Sequence, residues 1–109
     1  MVVHVHPRAA KYLRSIKNNE TIDLITAMFS NIEKYGITGL RKSGDAEYIG
    51  WCKLDEIKKK GVKMEHRFFG APIDGVYWIL HGFDKKSGDI KRIHIDCAIA
   101  RYKVIAAGH

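Results

Sequence analysis

The chain has few acids, cysteines and prolines, and no long apolar run. Its two cysteines, Cys52 and Cys97, stand far apart and match neither a disulfide framework nor a zinc spacing. Buried thiols in a reducing compartment are the simpler expectation, with Cys97 on an apolar helical pattern. Only two prolines and no low-complexity stretch exclude a disordered chain, and 46% hydrophobic residues suit a packed fold. At 109 residues one domain, 1–109, is expected. Nothing reaches the length of a membrane span, and Met-Val-Val-His-Val-His is not a signal peptide. A cytoplasmic protein with no membrane partner is therefore expected. Acids are outnumbered: 19 Lys and Arg against 12 Asp and Glu leave +7. That balance favours anionic partners, nucleic acid among them. The plainer reading is a soluble protein with surplus lysines.

Alternating valine and histidine at residues 2–6 predict a short first strand, stopped by Pro7, which suits the first turn of a helix. Ala9, Leu13 and Ile16 follow at helical spacing. Asn18-Asn19 breaks that helix, and a second runs over 21–35 on a stripe of Ile25, Met28, Phe29 and Ile32, capped by Gly36. Residues 37–46 hold Gly39, Ser43 and Gly44 and read as a loop carrying Arg41 and Lys42. A second strand is expected over 48–58, a cationic turn at 58–61, a third strand over 62–69 and a Pro/Gly turn over 70–75. Val-Tyr-Trp-Ile-Leu-His from residue 76 reads as a buried strand that delivers Lys85 and Lys86 to the sheet edge. Ile95, Ala98, Ile99 and Tyr102 predict a helix over 91–105. The expected fold is α+β: a small antiparallel sheet in β-α-α-β-β-β-α order, with helices packed on one face.

Four segments, in order, resemble the RelE/HigB-type toxins of bacterial and phage toxin–antitoxin pairs, in the phage-derived HigB-like branch of the RelE/ParE superfamily. Leu54-Asp55-Glu56-Ile57-Lys58 is similar to the family's Leu-Trp-Glu-Leu-Arg strand, and His66-Arg67-Phe68-Phe69 to its Tyr-Arg-Val-Phe-Tyr strand. Residues 79–87, Ile-Leu-His-Gly-Phe-Asp-Lys-Lys-Ser, are similar to Leu-Leu-His-Gly-Phe-x-Lys-Lys-Thr. Ile95, Ala98 and Arg101 fall in step with Glu-Ile-x-x-Ala-x-x-Arg. The resemblance implies a RelE-like fold and a ribosome-dependent mRNA endonuclease, metal-free, that inhibits translation and is neutralised by a cognate antitoxin. Its partners would be mRNA in the ribosomal A site and rRNA. A ribose 2′-hydroxyl would attack the adjacent phosphate, which calls for a base, cations for the phosphorane and an acid for the leaving 5′-oxygen.

Arg67 matches the family's third-strand arginine and can grip phosphate with a bidentate fork; otherwise it is a surface arginine. Lys58 takes the place of the family's second-strand arginine without the planar fork. His66 can exchange protons near neutral pH, but strand alternation turns it away from Arg67. His81, inside the apolar run, reads as a core histidine. Tyr102 can stack on a base or donate a proton, and equally can pack in the core. Lys59, Lys60, Lys85, Lys86, Arg41 and Lys42 are the candidate RNA contacts, or else a solvated surface. Trp51, Trp78, Phe68 and Phe69 can stack bases but at sheet positions suit a core. His4 and His6, joined by His109, lack a carboxylate or cysteine to complete a metal spacing, so no metal or other cofactor is expected. Asp55, His66 and Phe69 depart from the family's aromatics. A non-catalytic basic RNA- or protein-binding module, or a gyrase-inhibiting toxin, therefore stands as the alternative.

Overall fold

The computed structural model describes residues 1–85 and 91–108. Its elements are β1 (Val2–Val5), α1 (Pro7–Ser15), α2 (Asn19–Tyr35), α3 (Ile37–Ser43), β2 (Ala46–Ile49), β3 (Leu54–Lys60), β4 (Glu65–Ile73), β5 (Val76–Lys85) and α4 (Lys91–Ala107). The α+β class is as expected, with four helices and a five-stranded sheet among the described residues. Strand order is β1-β5-β4-β3-β2. Strands β2 to β5 form the expected antiparallel meander, while β1 joins β5 in parallel, so the sheet is mixed.

Local chemistry explains most boundaries. His6 caps α1 by accepting the N–H of Arg8, with Pro7 just inside. The Asn18 side chain accepts the N–H of Thr21 at 2.8 Å and starts α2. Gly36, at φ 76°, ends it.

Four expected boundaries are corrected. Residues 37–43 are helix α3 rather than loop: Ile37 and Leu40, one turn apart, are buried, and that anchoring outweighs the turn-prone Gly39. The expected 48–58 strand is two strands, β2 and β3, with a tight turn at Gly50–Lys53, because the apolar Trp51 and Cys52 disguise the turn. Lys58 to Lys60 lie in β3, not in a turn; the chain reverses at residues 61–64, where Gly61 N–H donates to Met64 O at 2.8 Å. The 70–75 turn shrinks to Asp74-Gly75, both left-handed at φ 49° and 79°. Pro72 is tolerated in β4 because that strand's pairing with β3 stops at Gly70, leaving its far end an edge.

Strand alternation splits the core in two. On one face α1, α2 and α3 cover Ile57, Phe68, Tyr77 and Ile79. Alternate residues Leu54, Phe69, Ala71 and Leu80 pack with Ile95 and Ala98 of α4. The expected helix layer is thus the α1–α3 side, and α4 adds cover to the other. Each fully buried side chain such as Phe68 or Leu80 contributes about 1.5–3 kcal/mol. Pairing shifts from Phe69↔His81 to Gly70↔Ile79, leaving Leu80 as a bulge. The bulge puts Leu80 and His81 together on the α4 side, where His81 meets His94 and Arg101.

Candidate functional site

The α1–α3 face holds a polar cluster of three residues from three elements. His66 of β4 and Asp84 of β5 are paired directly across the sheet. Tyr12 reaches down from α1 onto both. Its phenol donates to Asp84 Oδ1 and lies 2.5 Å from His66 Nδ1. That approach requires Gly82: a Cβ there would stand 2.6 Å from Tyr12 Cδ2 and 2.8 Å from Phe68 Cε1. Burial, then the hydrogen bond and charge of Asp84, push the Tyr12 phenol far up, so it keeps its proton throughout the ordinary pH range.

Because the Tyr12 hydrogen goes to Asp84, its oxygen accepts from His66, so Nδ1 of His66 carries hydrogen. Asp84 Oδ1, 3.3 Å from the same Nδ1, reinforces that tautomer. With hydrogen on Nδ1, the ring nitrogen left for proton exchange is Nε2. His66 is only 5% exposed, yet it lines a cleft of about 410 Å³ together with Lys17, Asn18, Lys63, Met64 and Asp84. A histidine oriented by a carboxylate and a phenol, at a cleft that Lys17 and Lys63 also line, has the make-up of a general acid–base. Lys59, opposite His66 on β3, shares this face.

Arg67 faces the other way, as alternation requires. Its Nη1 is 2.8 Å from Glu56 Oε2 and its Nε 2.7 Å from Glu65 Oε1, and its side chain is 11% exposed. Lys58, its cross-strand neighbour, lies 3.7 Å from Glu47. Lys60 and Lys85 are both exposed and both register with Glu65. Arg41 grips the buried Asp55 at 2.8 and 3.0 Å, stacks on Tyr48 and leaves Tyr77 to complete the carboxylate's shell. Lys42 is exposed at the end of α3. Tyr102 packs on α4 against the second core and a recess beside Trp51 and Cys52. Lys86 and His109 lie outside the described residues. His4 meets Trp78 edge-on, and His6 is engaged in its cap. Phe68 and Phe69 are core, whereas Trp51 is 61% exposed.

The candidate residues therefore separate: His66 and Lys59 on one face, Arg67, Lys58, Tyr102 on or near the other. Comparison with protein-family models, with curated proteins and with solved structures finds no match. Among the described residues, no helix is long and apolar enough to cross a membrane.

Two members of the cluster escaped the sequence reading. Tyr12 falls among Ala9, Leu13 and Ile16, where an aromatic passes for core. Asp84 is two residues from Gly82 and so shares its face, but only the β4–β5 register brings it to His66.

Proposed function

We propose that this chain is the toxin of a toxin–antitoxin pair, an endoribonuclease that cuts mRNA in the ribosomal A site and stops translation in the cytoplasm. One observation carries the reading: His66, held by Tyr12 and Asp84, lines a cleft together with Lys17 and Lys63 in a strongly basic chain. The four ordered segment resemblances support the ribosomal target and the antitoxin partner.

In this mechanism His66 Nε2 takes the proton of a ribose 2′-hydroxyl. The 2′-oxygen bonds to the adjacent phosphorus, and the P–O5′ bond breaks. The departing 5′-oxygen is protonated by water, leaving a 2′,3′-cyclic phosphate and a 5′-hydroxyl. Lys17, Lys63 and Lys59 offset the charge that builds on the phosphorane. Arg67, bound to two carboxylates, serves to tie β3 to β4.

Induced expression tests this. Wild type should arrest growth and leave mRNA cut within codons. His66→Ala should relieve the arrest while the purified protein stays folded. A His66→Ala variant as toxic as wild type overturns the assignment. The commitment of Arg67 favours one second reading, a basic RNA-binding module without cleavage. It predicts harmless expression and RNA affinity that falls steeply with salt.

A further inference from the structure

The β2–β3 turn carries a tryptophan that the fold does not use. Trp51 is 61% exposed, although an indole is among the costliest side chains to leave in water. The guanidinium of Arg92, steadied by Asp96 at 2.9 Å, lies 4.7 Å from the Trp51 ring centroid. Trp51 also borders a recess of about 260 Å³ shared with Ile99, Tyr102 and Lys103. Lys53 belongs to the same turn. An exposed aromatic plane, an arginine already stacked on it and two lysines nearby combine a stacking platform with positive charge.

We infer that this recess is a second RNA contact, which takes one unpaired base on the Trp51 ring while Lys53 and Lys103 meet the flanking phosphates. Charge decides between occupants. An apolar protein segment would gain nothing from Arg92, Lys53 and Lys103, whereas a single-stranded polyanion with π-faces uses all of them. Trp51 precedes the start of β3, and the cleft of His66 adjoins that strand's far end. The seven residues of β3 set the two sites roughly 20 Å apart. The inference rests on the reading that this chain handles RNA, but not on cleavage.

Fluorescence and affinity test it together. The chain has two tryptophans, so in a Trp78→Phe background Trp51 is the sole indole. A short oligoadenylate should quench it, and heparin, a polyanion without bases, should not. In the otherwise wild-type chain, Trp51→Ala should weaken oligoadenylate binding about tenfold and leave heparin binding unchanged. Equal oligoadenylate affinity, or an equal loss toward heparin, overturns the inference. His66→Ala should keep the quench while losing cleavage. Quench and affinity loss without any cleavage by wild type would refute the nuclease and leave the base site standing. Cleavage with an indifferent Trp51→Ala would refute the base site alone.

Discussion

Replacing Gly82 with alanine isolates the contact on which the Tyr12–His66–Asp84 cluster depends. Away from steric conflict, alanine in place of a strand or helix glycine is favourable by about 0.5–1 kcal/mol, since the unfolded chain loses freedom. At Gly82 the new Cβ meets Tyr12 Cδ2 at 2.6 Å and Phe68 Cε1 and Cδ1 at 2.8 and 2.9 Å. Neither ring can yield easily. Phe68 is fully buried and packed edge-on against Phe29 at 5.2 Å, and Tyr12 is held by Asp84 and His66. Overpacking of this kind costs about 1–3 kcal/mol, which exceeds the entropic gain. The net loss should be about 1–2 kcal/mol, a fall in Tm of about 5–10 °C for a domain of this size. Gly39→Ala is the control: nothing lies within 4 Å of a Cβ there, and the site is helical, so stability should rise. Thermal denaturation followed by circular dichroism reads both. Gly82→Ala melting at or above wild type would refute the claim that this glycine exists to admit Tyr12.

Two further outcomes follow from the buried polar groups. Arg41→Ala strands Asp55, 1% exposed, with Tyr77 as its remaining partner, and should cost about 2–4 kcal/mol in urea unfolding; Lys42→Ala, next door and exposed, should cost less than about 0.5 kcal/mol. His81 gives a pH dependence, because burial first, then Arg101 and His94, hold it near 4 against an ordinary 6.5. The unfolded chain binds this proton first, so the stability is complete above pH 6.5 and is lost as pH falls toward 4. Partial solvent access reduces the loss to about 1–2 kcal/mol. His81→Leu should flatten that part of the urea-midpoint profile between these limits.

The helices with chemical punctuation were readable: Pro7, Asn18 and Gly36 each stand where the sequence places an end. Helix α3 was hidden because two core contacts, Ile37 and Leu40, hold a segment whose composition suits a turn. Asp55 and Glu56 carry charges that a strand interior disfavours, yet each is buried on its own face against an arginine from elsewhere, Arg41 or Arg67. Alternation alone separated His66 from Arg67. The site needed more: the register that sets Asp84 beside His66, and the packing that lowers Tyr12 onto Gly82, are long-range and leave no local mark.

The most direct measurement is end-group analysis of mRNA incubated with ribosomes and purified protein in the presence of a chelator. Wild type should yield 2′,3′-cyclic phosphate and 5′-hydroxyl ends, Arg67→Lys should retain the cuts, and His66→Ala should yield none while circular dichroism shows it still folded at the assay temperature. Cuts by His66→Ala at the wild-type rate, or 5′-phosphate ends, would contradict the account.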